Sequence, residues 1–276
     1  MKSRILTALV ALPILIASFL FPQLWWLFVL LAFAAMGVGL YEFWLLAKKR
    51  GIKVDTSISS LGAIALFACF FFDGPTKGAD ILLVLIIGFV VVALIAEMLR
   101  GAPFEKMIQQ SSATILGTLY LFLLGGHLVA LRMGFEQRLN LSTHLLCFFF
   151  LILMGSDVGA YFVGKAFGKH KLAPKVSPGK TWEGFAGGMI TSLGFAVLAH
   201  YWFFRELPLK WALPLAGVMN ILGAVGDLVE SALKRGSNAK DAANILPGHG
   251  GLLDRLDSLL FSAPLLYYFA KFYFQF

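Results

Sequence analysis

The chain has 276 residues, 59% of them hydrophobic and only 14% charged, with a mean hydropathy of +0.82 and a formal net charge of +8. That balance excludes an ordinary soluble domain and identifies an integral membrane protein. The 2 cysteines, Cys69 and Cys147, both lie in apolar runs, so neither a disulfide nor a cysteine-based metal site is expected.

Apolar stretches of roughly 17 to 25 residues are needed to cross a bilayer as helices, and the sequence offers them repeatedly between short polar breaks. Taken in chain order, they predict an all-α, polytopic transmembrane bundle with spans near 5–20, 24–46, 57–72, 80–98, 111–131, 144–166, 184–204, 211–233 and 258–275. The first and third are short, which leaves eight spans as the alternative. No small-residue cleavage site followed by a soluble region succeeds the first run, so it is expected to stay as a helix.

With the N terminus inside, seventeen of the 23 Lys and Arg residues fall on the cytoplasmic side and six outside. Basic residues concentrate in cytoplasmic loops, so this orientation is expected, with the C terminus outside if nine spans are present. The same bias accounts for the net charge and for attraction to anionic headgroups. Concentrated polar chemistry begins only after the loop 132–143. The chain is therefore read as one membrane unit, 1–276, in which 1–131 serves as hydrophobic scaffold and 144–276 as the working half.

The first polar segment runs from 155 to 184, GSDVGAYFVGKAFGKHKLAPKVSPGKTWEG. Asp157 stands inside an apolar run, where a charged side chain costs about 2.5 to 3.5 kcal/mol and so faces a partner or water. Lys165, Lys169, Lys171, Lys175 and Lys180 follow, broken by Pro174 and Pro178. The composition suits a re-entering loop that neutralises phosphate and equally suits a solvated cytoplasmic loop. Residues Ser177 to Thr181 read SPGKT, yet a phosphate-binding P-loop needs glycine where Pro174 stands, together with a strand-to-helix context. Gly179 still permits close approach of an anion and Lys180 supplies charge. Thr181 is placed to cap the next helix, on which Gly184 and Gly188 suit close helix packing.

In the eighth span, Asp227, Glu230, Ser231 and Lys234 are spaced to share one helical face, forming a polar stripe that descends from the loop into the membrane. Asp254 and Asp257 likewise share a face at the start of the last helix. Carboxylates converging from two helix ends suit Mg²⁺, which takes oxygen ligands and is commonly bound through one or two carboxylates plus substrate phosphates. Between the two helices, Pro247, Gly248, His249, Gly250 and Gly251 make a backbone able to approach an anion closely. His249 fits a phosphate contact better than a zinc site, since no second His or Cys stands at metal spacing. Arg255, Lys234 and Arg235 add groups suited to gripping phosphate oxygens.

These residues point to phosphate transfer with a divalent metal at the cytoplasmic face. A transporter for an anionic metabolite is the rival reading from another class, although no inverted repeat is evident and the acids gather toward one side. A noncatalytic membrane scaffold would require the intact set of acids and bases to be relics.

The run from Ser231 to Asp257, S-x-L-K-R-x4-K-D-x-A-x2-L-P-x-H-G-G-L-x-D-R-L-D, resembles the signature of the phosphatidate cytidylyltransferase (CDP-diacylglycerol synthase) family. Ser231, Lys234, Arg235, Lys240, Asp241, Pro247, His249, Gly250, Gly251, Asp254, Arg255 and Asp257 stand at its positions. The segment from Phe167 to Gly184 is similar to the family's upstream loop, and Val158 departs from the hydroxyl residue many members carry. The resemblance implies the reaction of CTP with phosphatidate to give CDP-diacylglycerol and pyrophosphate in a bacterial-type inner membrane. It further implies a principal Mg²⁺ on Asp227 and Asp254, with Asp257 and Asp157 completing or orienting the metal site. A second cation is compatible with two-metal chemistry. Lys234 and Arg235 would act with the catalytic acids, while Ser177, Lys180, Thr181, Ser231, Lys240, Asp241, His249, Gly250, Gly251 and Arg255 would contact substrate. The implied partners are CTP, phosphatidate in the membrane and a second copy of the chain, with no nucleic acid. A relative acting on another CTP-activated lipid is the enzyme alternative.

Overall fold

The computed structural model describes residues 2–72, 80–101, 104–135, 140–239 and 251–274. Ten α-helices occupy most of that chain: α1 Lys2–Leu20, α2 Trp25–Lys49, α3 Thr56–Phe72, α4 Asp80–Leu99, α5 Met107–Thr118, α6 Leu124–Met133, α7 Leu141–Phe167, α8 Trp182–Trp202, α9 Leu209–Gly236 and α10 Leu253–Tyr273. A π-helical turn, Leu119–Leu123, joins α5 to α6 in one continuous rod. The rods therefore coincide with the nine expected spans, and six of them are long and apolar enough to cross a membrane.

The departure from an all-helical chain lies at the basic loop. Strands β1 (Lys171–Ala173) and β2 (Ser177–Thr181) form an antiparallel hairpin with Ala173 opposite Ser177 and Lys171 opposite Thr181. The segment expected to be a re-entering or solvated loop thus contains an ordered hairpin. Its exit is fixed where Trp182 N–H donates to the His170 carbonyl at 2.9 Å, and Thr181 Oγ1 accepts from Gly184 N–H at 3.1 Å, the expected cap of α8.

Two apolar clusters share the interior, and α10 stitches them together. Leu253, Leu256 and Leu260 pack with α2, α3 and the π turn, whereas Ala263, Leu266, Tyr267 and Ala270 pack with α7 and α9. Across α4 the large apolar side chains Ile81, Leu83, Val84, Ile87, Val91 and Val92 stay exposed, as a lipid-facing helix requires.

Glycines set the closest approach. A Cβ added at Gly159 of α7 would stand 2.9 Å from the Gly187 carbonyl oxygen, and one at Gly184 of α8 would stand 2.9 Å from that of Ala160. Small residues let membrane helices touch backbone to backbone, and here they press α7 against α8. At Gly188 a Cβ would crowd Ser156 and Asn220, so both expected packing glycines serve that purpose.

Candidate active site

One end of the bundle gathers the ends of α2, α7 and α9, the starts of α8 and α10, and the hairpin. A cavity of about 580 Å³ opens there, and its wall includes Asp157, Asp227, Glu230, Asp254 and Asp257 together with Lys165, Lys180, Lys234 and Arg255. Its lining reaches Leu153, fourteen residues before the end of α7, which is about 21 Å of helix at 1.5 Å per residue. The polar chemistry therefore extends well below the loops.

Helix α9 runs unbroken to Gly236, which puts the expected stripe on one face. Ser231 Oγ donates to Asp227 Oδ1 at 3.4 Å. Lys180 reaches from β2 across to Asp227, with Nζ 2.5 Å from Oδ2. Lys234 is shared, standing 2.8 Å from Glu230 Oε2 and donating to Asp254 Oδ1. The second oxygen of Asp254 accepts from Gly251 N–H at 3.1 Å. Charges from α7 enter the same space, for Asp157 and Lys165 line it together with Asp227, Lys180 and Arg255.

Deeper in the wall, Ser156 donates to Asn220 Oδ1 and ties α7 to α9. Where α9 meets α10, Gly226 lies against the Asp257 backbone so closely that any Cβ would collide with its carbonyl. This contact sets the spacing between Asp227 on one helix and Asp257 on the other.

Of the residues expected from sequence, Asp157, Lys180, Thr181, Asp227, Lys234, Asp254, Arg255 and Asp257 line the cavity. Ser231 and Gly251 bind its carboxylates from behind. Two others are not among the lining residues: Arg235 donates to the Val176 carbonyl at 3.3 Å, holding the hairpin turn, and Ser177 opens β2, where its backbone pairs with Ala173. Lys240, Asp241, Pro247, His249 and Gly250 lie outside the described residues.

Three participants escaped the sequence reading. Glu42 of α2 is completely buried and accepts from Leu252 N–H at 3.0 Å and Leu253 N–H at 2.7 Å. Its signal was present, since it is an acid inside an apolar run like Asp157. Asn220 gave a similar hint, as an amide in mid-span. Tyr120, on the π turn, is buried with its hydroxyl unpartnered among the described residues; nothing in the sequence marked it.

No three His, Cys, Asp or Glu among the described residues stand close enough to hold an ion by themselves. The donors nevertheless fit Mg²⁺, because that ion needs only one or two carboxylates when phosphate and water complete its six oxygens. Asp227 suits this best, with its side chain 41% exposed at the cavity.

Residues 2–273 match the model of the cytidylyltransferase family. The phosphatidate cytidylyltransferase of Bacillus subtilis is 34% identical over 275 residues, covering 97% of each chain. That of Haemophilus influenzae is 32% identical over 290 residues, covering 98% of each. A relative of the same name from Staphylococcus haemolyticus is 46% identical over 123 residues, 45% of this chain and 47% of its own.

Proposed function

The chain belongs to the cytidylyltransferase family, and from that premise we propose that it transfers CMP from CTP to phosphatidate, giving CDP-diacylglycerol and pyrophosphate for phospholipid synthesis. The observation that carries this reading is the cavity itself, in which acids and bases from four structural elements meet beside the lipid-exposed surface of a membrane bundle. Full-length similarity to proteins named for that reaction supports the choice of substrates.

In this mechanism a phosphate oxygen of phosphatidate bonds to the α-phosphorus of CTP. The bond from that phosphorus to the α,β-bridging oxygen breaks, and pyrophosphate leaves in line with the attack. Little covalent assistance is required, so the protein contributes position and charge. Asp227 and Asp254 would hold Mg²⁺, with Asp257 and Asp157 supporting it, and a second cation is compatible with the acids that remain. Bound there, the metal supplies Lewis-acid neutralisation of phosphate oxygens. Lys180 and Lys234 balance Asp227 and Asp254 in the free protein and stand ready for the phosphates of an incoming nucleotide. Arg255 and Lys165 flank the same space, and the hairpin presents Lys180 from above.

We place this site at the cytoplasmic face, with the N terminus inside, because the basic loops favour that side. Residues 144–276 would carry the chemistry and 1–131 would support it, the chain acting as a homodimer. Phosphatidate would enter laterally, keeping its acyl chains in the bilayer. The test is formation of CDP-lipid and pyrophosphate by the detergent-purified chain given phosphatidate, CTP and Mg²⁺, with ATP as control. Product with CTP alone supports the assignment; no product from folded protein with phosphatidate, alongside product with a different lipid acceptor, overturns it.

A further inference from the structure

The start of α10 carries Asp254, Arg255 and Asp257 into the cavity, yet its own sequence cannot cap it. The first turn of any helix leaves N–H groups without partners, and the residues here are Gly251, Leu252 and Leu253, none with a side-chain acceptor. The N-cap residue is Leu252, which makes no side-chain cap. Asp254 reaches back to Gly251 N–H, one residue before the N-cap, which leaves the N–H groups of Leu252 and Leu253 to be met from elsewhere.

The missing acceptor comes from 210 residues away. Glu42, near the end of α2, sets one carboxylate oxygen on Leu252 N–H and the other on Leu253 N–H, at 3.0 and 2.7 Å. It is completely buried, and an anion at a helix start is favoured by the aligned peptide dipoles. Leu121 and Leu256 close around the neighbouring Gly39, where a Cβ would stand 2.8 Å from Leu121. Leu256 of α10 stands at 3.4 Å from that position, so α2 and α10 are in van der Waals contact as well as joined by polar bonds. An acid buried in a membrane helix is costly, and the two backbone hydrogen bonds offset that cost.

We propose that Glu42 is a positioning residue for the active site: by capping α10 from another helix it fixes the backbone from which Asp254 and Asp257 project. It touches no reacting atom. The kinetic arm of its test rests on the cytidylyltransferase reading, and the exchange arm does not.

Glu42→Gln keeps the shape of the side chain and removes a charge from a membrane helix, so insertion is not impeded. It replaces one acceptor oxygen with an amide donor facing an N–H group, which ends one of the two bonds. In the detergent-purified full chain, hydrogen exchange at 251–256 should quicken about tenfold, consistent with loss of one charge-assisted bond, while α7 and α8 exchange as in wild type. The Mg²⁺ concentration for half-maximal CDP-lipid formation should rise about tenfold and kcat should fall. Glu42→Asp, which keeps the charge but draws it back, should lie between the two. A cap with only a structural role would lower the amount of active enzyme and leave the Mg²⁺ dependence and the KM for CTP unchanged; that result overturns the proposal, as does unchanged exchange at 251–256. If Glu42→Gln exchanges rapidly throughout and is therefore unfolded, Glu42→Asp decides by the same two measurements. An inactive wild type with accelerated exchange in the variant would instead count against the reaction and leave the cap standing.

Discussion

Replacing Gly226 by alanine adds one methyl group where α9 crosses α10, and its consequence can be worked from the geometry. The new Cβ would fall well inside 3.0 Å of the Asp257 carbonyl oxygen, and 3.1 Å from both its carbonyl carbon and Phe261 Cδ2. A backbone carbonyl cannot rotate aside as a side chain can, so the helices must part by about 1 Å to recover ordinary contact. That displacement separates Asp227, adjacent to the new methyl, from Asp257 across the cavity. A misplacement of about 1 Å in a catalytic constellation can cost roughly 10²-fold in rate, so kcat for CDP-lipid formation should drop by about that factor. Gly217, one helical stretch earlier on α9, is the control: its Cβ would meet only Met189 Sδ at 3.7 Å. Gly217→Ala should leave kcat unchanged and stabilise α9 by roughly 0.5–1 kcal/mol. Steady-state kinetics and thermal unfolding of both variants in the same detergent make the comparison. Wild-type turnover in Gly226→Ala would refute the claim that this crossing sets the spacing of the acids.

Asp254→Asn weakens its hold on Lys234 and removes a carboxylate from the proposed metal site, so turnover should fall on the order of 10²–10³-fold in a folded protein; near-normal activity across a Mg²⁺ titration would contradict the role. Lys180→Met removes the partner of an Asp227 side chain that is 41% exposed, so stability should change by only about 0–1 kcal/mol. The KM for CTP should rise about tenfold or more if Lys180 transfers to phosphate, and an unchanged KM would confine this lysine to its ion pair. Thr181→Ala loses the α8 cap and should cost about 1 kcal/mol. Thr181→Ser should retain most of it, and equal unfolding temperatures for the two variants would show that the hydroxyl bond to Gly184 contributes nothing.

Much of this architecture was legible because run length and helical spacing are local properties. The rods follow the apolar stretches closely, and the stripe of Asp227, Glu230, Ser231 and Lys234 needed only that α9 continue, which it does to Gly236. Thr181 and the glycines of α8 also acted as their chemistry suggests. The hairpin was hidden because its order comes from tertiary bonds: Glu183 collects the N–H groups of Lys169 and His170 at 3.1 and 3.2 Å, while prolines at 174 and 178 obscure any strand pattern. The π turn at Leu119–Leu123 carries no spacing that distinguishes it from continuous helix. Glu42 is the instructive case. An acid in an apolar run announces a partner, but a partner made of two backbone N–H groups has no side-chain identity for the sequence to display.

The arrangement of charge also explains why pairing across helices defeats one-dimensional reading. Among the described residues the cavity wall carries five acids, Asp157, Asp227, Glu230, Asp254 and Asp257, against four bases, Lys165, Lys180, Lys234 and Arg255. Were each acid exposed alone to a low-dielectric wall, its desolvation would favour loss of charge. Instead the hairpin lends Lys180 to α9, and α9 lends Lys234 to α10. Each ion pair thus binds one structural element to the next, and neutralising the site and assembling the bundle become the same event. Breaking such a pair in the free protein loosens a joint, whereas under the proposed reaction a lysine that passes from its carboxylate to a substrate phosphate would leave that carboxylate available to a cation. A membrane enzyme for anionic substrates needs that second property, because bases left unpaired between turnovers would have to be hydrated inside the bundle.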